Sequence, residues 1–326
     1  MFQPPTLDEC QQALEFTSLS DHEKTCKCYQ SQYFDQLTEQ LWGNWLNQHK
    51  ESGQTFRNFM DKHQDDDLYC KQEERRVVYI YLLDNVLMDG QVDTTAQEIQ
   101  FKDRIGNHPC LKKVIEFLRA FYWGVTVKAM QPSEKQLSDY RNQFKFTNRI
   151  TSFGKKQFLT SDIINFLKQV KPKDCYCMLA LTSFDLYPKE DWNYVFGIAN
   201  MTHQVGVISH SRFDPNFMNK FYPILSEKEK EELILKRSCK LAAHEIGHLF
   251  KFKHCIYYDC LMNGYNSLEE VDGTFIDICP IEIRKLKESI GFDEQERFGK
   301  MREFFKGNEE CFGKELEFVE KILSKP

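Results

Sequence analysis

The sequence predicts an α+β fold in which a mixed, twisted sheet carries packed helices. Continuous apolar runs rich in β-branched and aromatic residues, at 75–84 and 175–188, are typical of buried strands. Segments with apolar residues at helical spacing are interspersed with them, at 110–124, 160–172 and 226–250. Because strands and helices alternate along the chain, we expect a sheet with the helices packed against it.

The shorter elements follow from local signals. The segment VTVKAM, at 125–130, predicts a strand that returns after the preceding helix. Residues 193–213 predict two short strands around a turn. The helix at 160–172 opens on a Thr-Ser pair and ends at a proline, as helices commonly do.

We expect three parts along the chain. Residues 1–73 are rich in charged and amide side chains, and amphipathic patches such as 34–48 predict a mostly helical N-terminal extension. Residues 74–254 contain the predicted strands and form the upper, sheet-and-helix part of the main domain. Residues 255–326 begin irregular and cysteine-bearing and then become helical, which predicts a lower, helical C-terminal subdomain.

Composition argues against several classes of partner. The formal net charge is −6 and the pI is about 5.9, so we expect no nucleic acid as partner. The first residues carry no basic head followed by an apolar run, and the apolar runs are too short to span a bilayer, so we expect no membrane partner. We therefore expect an intracellular protein in the cytoplasm, with the nucleus as an open alternative, whose cysteines are reduced or bind metal. The oligomeric state stays open.

The stretch HEIGHLFKFKHC, residues 244–255, carries the pattern of a zinc site. His244 and His248 are four residues apart, so a helix places both imidazoles on one face, where they can reach one ion. In H-E-x-x-H sites the carboxylate of the glutamate, here Glu245, takes a proton from the water that attacks a peptide carbonyl. This pentapeptide also occurs by chance in unrelated helices. The additional His254 gives the longer, three-histidine pattern and favours zinc.

A third ligand at His254 requires the helix to end first. Six more helical residues would carry His254 about 9 Å along the axis from His248, too far for one ion. A residue in the left-handed conformation turns the chain most easily, and glycine adopts it without a Cβ clash. Lys251 stands where glycine is usual, and the same geometry costs it about 1–2 kcal/mol. Zinc binding contributes on the order of 10 kcal/mol, so we expect Lys251 to strain the turn without abolishing the site.

Cysteines follow the histidines directly. Cys255 and Cys260 are separated by four residues, Cys260 and Cys279 are separated by eighteen, and Met262 lies between the last two. The spacing resembles that of a structural zinc site with four ligands. Inert buried thiols are the alternative interpretation.

Together these motifs resemble the archaemetzincin family of zinc metalloproteases. The family pattern is H-E-x-x-H-x-x-G-x-x-H-C, a short gap, C-x-M, and then C-x-x-C. Upstream segments such as TSFDLYPKEDWNYVFGIA, 182–199, are similar and occur in the same order, and the resemblance covers residues from about 75 to about 300. It implies a metzincin-like zincin domain with an active-site helix.

The resemblance also implies roles for the motif residues. His244, His248 and His254 would hold a catalytic zinc, and Glu245 would be the general base. Met262 would occupy the Met-turn, a hydrophobic floor beneath the three imidazoles. An edge strand around 193–199 would bind an extended peptide or protein substrate through main-chain hydrogen bonds.

The resemblance also implies a second, structural zinc, but one of its four ligands differs from the family pattern. Cys255, Cys260 and Cys279 would supply three thiolates, and Glu282 stands where the family has its fourth cysteine. A carboxylate can ligate zinc, although such a site would be weaker than one with four thiolates. Because both Lys251 and Glu282 depart from the family pattern, a zinc-binding scaffold with weak or no catalysis is the alternative to an active peptidase.

Overall fold

The structure is a computed structural model that describes residues 1–38, 43–63, 69, 74–87, 110–215, 217 and 225–324. The chain divides into two compact units. One contains residues 74–119 and 125–249, and the other contains residues 1–73, 120–124 and 250–326. The extension at 1–73 therefore shares a unit with the C-terminal region.

The first unit is built around strands. Their bounds are β1 Val77–Leu82, β2 Thr126–Met130, β3 Asn148–Ile150, β4 Lys156–Leu159, β5 Cys175–Thr182, β6 Asp185–Tyr187, β7 Gly197–Asn200 and β8 Val205–Ser209. Five of them form a sheet in the order β2-β1-β5-β8-β7, in which β7 runs antiparallel to β8 and the other pairs are parallel. Strands β3, β4 and β6 form a smaller sheet. The prediction of a mixed sheet is thus confirmed.

The helices occupy both units. Their bounds are α1 Leu7–Leu14, α2 Asp21–Thr25, α3 Trp45–Gln48, α4 Phe56–His63, α5 Asp84–Leu87, α6 Leu111–Phe121, α7 Glu134–Gln143, α8 Thr160–Val170, α9 Glu227–Leu249, α10 Leu268–Gly273, α11 Pro280–Ile290, α12 Glu294–Lys306 and α13 Glu309–Leu323. The helices expected near 110–124, 160–172 and 226–250 are α6, α8 and α9. Within the described ranges, no helix has the length and apolarity needed to cross a membrane.

The sequence predicted one strand over the apolar run at 175–188, and this prediction is wrong: the run forms two strands, β5 and β6. It breaks after β5, because the carboxylate of Asp84 accepts hydrogen bonds from the backbone N–H of Ser183 at 3.0 Å and from its hydroxyl at 2.5 Å. The Thr182 hydroxyl donates to the same carboxylate at 2.5 Å. These bonds take the backbone out of the ladder between β1 and β5, and the chain continues as β6 in the smaller sheet.

The N-terminal extension is less helical at 34–48 than predicted. Helix α3 covers only Trp45–Gln48 of that range, and residues 39–42 lie outside the described part. Gln36 forms an isolated antiparallel bridge with Tyr258 instead. Pairing with a backbone far along the chain therefore overrides the local helical pattern.

Candidate metal centres

Helix α9 delivers the first two histidines. Its N-terminus is capped reciprocally: the backbone N–H of Glu229 donates to the Ser226 hydroxyl, and the Ser226 backbone N–H donates to the Glu229 carboxylate at 2.7 Å. Its C-terminal half is buried. The Nε2 atoms of His244 and His248 lie 3.0 Å apart, as their spacing of one turn predicts.

The helix ends as the third ligand requires. Helix α9 stops at Leu249, and Lys251 adopts φ 72°, in the left-handed region that usually calls for glycine. The ligand nitrogens of His244, His248 and His254 all lie within 4.8 Å of one another. Three imidazole donors converging in this way fit a zinc ion that keeps a fourth position open.

Glu245 lies against the edge of the larger sheet. Its side chain is buried, and this burial raises the pKa of the carboxyl group to about 8. A Cβ added to Gly197 would lie only 2.9 Å from Glu245 Oε1 and 2.8 Å from Ile208 Cγ2. Gly197 is the first residue of the edge strand β7, so the missing side chain lets the carboxylate approach that strand closely.

The three predicted cysteines also come together. The sulfurs of Cys255, Cys260 and Cys279 lie within 4.8 Å of one another, and all three side chains are buried. Burial opposes ionisation of Cys255, but hydrogen bonds from the other two thiols outweigh it and lower the pKa of Cys255 well below its usual value. Backbone N–H groups of Met262 and Cys279 donate to the sulfur of Cys260 at 3.5 and 3.3 Å. Burial raises the pKa of Cys260 and of Cys279 well above the usual value, so Cys255 alone of the three favours the thiolate in the absence of metal. Three buried sulfurs this close together could still hold a metal ion.

No oxygen of Glu282 belongs to the group of possible metal ligands that the three cysteine sulfurs form. Glu282 lies in the first turn of α11, and its Oε1 accepts a hydrogen bond from Lys285 at 2.8 Å. Burial raises the pKa of the Glu282 carboxyl group to about 7. Its Oε2 is also buried, and among the described residues no hydrogen-bond partner faces it. The role of Glu282 as a fourth zinc ligand stays a prediction.

Met262 lies in a turn that Asn263 holds. The Asn263 amide donates to the carbonyls of Cys255 and Tyr258, both at 3.0 Å, and its Oδ1 accepts from the backbone N–H of Cys260 at 2.8 Å. The Met262 carbonyl accepts from the backbone N–H of Cys255 at 2.8 Å, and the Met262 side chain is buried. Asn263 was not singled out from the sequence, although an asparagine next to a turn is a recognisable signal.

Two residues of the N-terminal extension reach the histidine segment, and sequence reasoning missed both. His254 Nδ1 donates to Glu51 Oε1 at 2.8 Å, and this hydrogen bond lowers the pKa of Glu51. The side-chain amide of Gln54 donates to the Lys251 carbonyl at 3.3 Å and accepts from the Lys253 backbone N–H at 3.2 Å. These contacts join residues about 200 positions apart, so no local sequence pattern predicts them.

Comparison with known proteins agrees with the motif. The family described as Peptidase family M54 matches residues 108–288. Archaemetzincin-2 of Pongo abelii is 32% identical over 288 residues, which cover 82% of this chain and 73% of the relative. Archaemetzincin-2 of Homo sapiens is 31% identical with the same coverage of both chains. A crystal structure of archaemetzincin from Methanopyrus kandleri is similar with a TM-score of 0.42 at 22% identity, covering 68% of this chain and 98% of that one.

Proposed function

Because the chain belongs to peptidase family M54, the archaemetzincins, which are metallopeptidases, we propose that it hydrolyses peptide bonds with zinc and with Glu245 as general base. The observation that carries this proposal is the convergence of the three histidine nitrogens within 4.8 Å. When bound there, zinc would act as a Lewis acid that polarises a peptide carbonyl and lowers the pKa of water to about 7.

Glu245 supplies the proton transfers. Its carboxylate accepts a proton from the water that attacks the carbonyl carbon, and it then donates that proton to the amine that leaves when the C–N bond breaks. The carboxyl group is buried next to Gly197 of the edge strand, so it has little freedom to move between the two steps. A base of this kind typically contributes about 10²–10⁴-fold to the rate.

The edge strand supports the choice of an extended peptide or protein as substrate. Among the residues that the structure describes, strand β7 is the last strand of the larger sheet and pairs with β8 alone. Its outer side presents backbone N–H and C=O groups, which can pair with an antiparallel peptide. Recognition through the main chain would tolerate many side-chain sequences.

We further propose a second zinc at Cys255, Cys260 and Cys279, which would hold the segment after His254 in place. The three buried sulfurs within 4.8 Å of one another support this site. Glu282 or another donor would complete the coordination.

Peptide cleavage by wild type and by Glu245→Gln tests the proposal. We expect the variant to lose at least about 100-fold in kcat/KM because the isosteric amide cannot accept the proton. Its zinc content should be unchanged, since Glu245 is not a ligand. Glu227→Gln, on the same helix and with a largely exposed side chain, is the matched control and should cleave normally.

The alternative of a zinc-binding scaffold has its own signature. Two results would contradict the peptidase proposal. In the first, the wild type binds zinc at the histidine site but cleaves no member of a broad peptide library. In the second, the wild type and Glu245→Gln cleave equally well. The first outcome would favour the scaffold.

A further inference from the structure

Residues 51–54 of the N-terminal extension, called the strap below, contact the segment that carries the third histidine at several points. Glu51 accepts from His254 Nδ1, and Gln54 bonds to the backbone on both sides of Phe252. Gly53 has φ 65°, and a Cβ there would lie 2.8 Å from Ile256 Cγ1. The strap thus follows the chain from residue 251 to residue 256 closely.

Glu51 is itself held in place. The indole N–H of Trp45 donates to Glu51 Oε1 at 3.0 Å, and Trp45 stacks on His49 with ring centroids 3.8 Å apart. A Cβ added to Gly264 would lie 2.5 Å from the Trp45 ring, so the backbone just after Met262 packs directly against the indole. The carboxylate that faces His254 therefore has a rigid support.

The hydrogen bond between Glu51 and His254 affects how His254 binds a metal ion. A carboxylate that accepts the Nδ1 proton of a histidine fixes the tautomer in which Nε2 carries the lone pair, and it raises the basicity of that nitrogen. It also sets the orientation of the ring. Glu51 is placed to do this for His254, the ligand that follows the turn.

Gln54 acts on the turn. Lys251 holds a left-handed conformation that a residue with a Cβ adopts reluctantly. The Gln54 side-chain amide donates to the Lys251 carbonyl and accepts from the Lys253 backbone N–H. It therefore links the two ends of the turn. Lys285 donates to the same Gln54 oxygen at 3.2 Å, and the Gln54 side chain is buried.

We propose that the strap is a positioning element for the zinc site: Glu51 orients His254, and Gln54 holds the Lys251 turn that brings it into place. This inference rests on the proposed zinc function and goes beyond it, because it assigns a role in metal binding to the N-terminal extension. Glu51 and Gln54 are positioning residues, not ligands.

Binding of Co²⁺ and Zn²⁺ by the full chain tests the role of Glu51. Ultraviolet charge-transfer bands arise only from Co²⁺ bound to thiolates. The visible d–d bands are weaker at a site of three histidines than at a site of thiolates, so the two spectra together distinguish the sites. Competition with Zn²⁺ then yields the zinc affinity of each site. We expect Glu51→Gln to weaken zinc binding at the histidine site about 10-fold and Glu51→Ala to weaken it closer to 100-fold. The cysteine site should be unaffected.

Controls separate the inference from its premise. Asp21→Asn, a substitution at an exposed carboxylate of the same extension, should bind zinc as wild type does. His254→Ala marks complete loss of the site. If the wild type shows no metal at the histidines, the proposed function fails and the strap inference with it. If the wild type binds and Glu51→Ala matches it within twofold, the inference alone is overturned.

The role of Gln54 is tested by a double-mutant cycle. Gln54→Ala should weaken zinc at the histidine site, and the loss should be smaller in the Lys251→Gly background, where the turn needs less support. Thermal unfolding of the metal-free variants checks that each is folded. Equal losses in both backgrounds, or no loss in either, would show that Gln54 does not act through the turn.

Discussion

Lys251→Gly should stabilise the protein, although most substitutions by glycine destabilise. Lys251 adopts φ 72°, which costs a residue with a Cβ about 1–2 kcal/mol. Glycine removes this cost, but it adds freedom to the unfolded chain worth about 0.5–1 kcal/mol. The difference predicts a net gain of about 0.5–1 kcal/mol in the free energy of unfolding.

The measurement is unfolding by denaturant and by heat on metal-free protein, so that zinc affinity does not enter. For a chain of this size the gain corresponds to an increase in Tm of about 1–3 °C. Lys253→Gly is the matched control, because Lys253 is exposed, lies two residues further on and is not among the described residues with positive φ. We expect Lys253→Gly to lower stability by about 0.5–1 kcal/mol.

Opposite signs for the two lysines are the essential result. If Lys251→Gly destabilises as much as Lys253→Gly does, the turn stores no strain that glycine can relieve. The energetic reasoning about this turn would then be wrong.

Other predictions concern the remaining site residues. Gly197→Ala should reduce kcat while zinc content stays at the wild-type value, because the new Cβ would lie 2.9 Å from Glu245 Oε1 and displace the carboxylate; normal kcat would refute the close approach. Asn263→Ala should lower the free energy of unfolding by about 1–3 kcal/mol, because it leaves buried backbone groups unpaired; a denaturant titration measures the loss, and a change below 0.5 kcal/mol would contradict it. Glu282→Cys should raise the zinc retained per chain after chelator treatment, since four thiolates bind more tightly than three; equal retention by the wild type would mean that its site is already complete.

The sequence by itself determined the features that depend on neighbours along the chain. The spacing of His244 and His248 sets their shared helix face, whatever the rest of the fold does. The need to end the helix before His254 predicted a left-handed residue, and Lys251 has that conformation despite its Cβ. Many strands and helices also followed from short-range periodicity, but α7, α12, β3 and β4 were not predicted individually, and β6 was expected to continue β5.

Only the tertiary structure decided which distant side chains meet. The break after β5 depends on Asp84, which lies 99 residues before Ser183. The partners of His254 and of the Lys251 turn, Glu51 and Gln54, come from the other end of the chain. Periodicity and turn preferences describe dihedral angles over a few residues, whereas these contacts depend on how whole segments pack, and a single sequence carries no local mark of that.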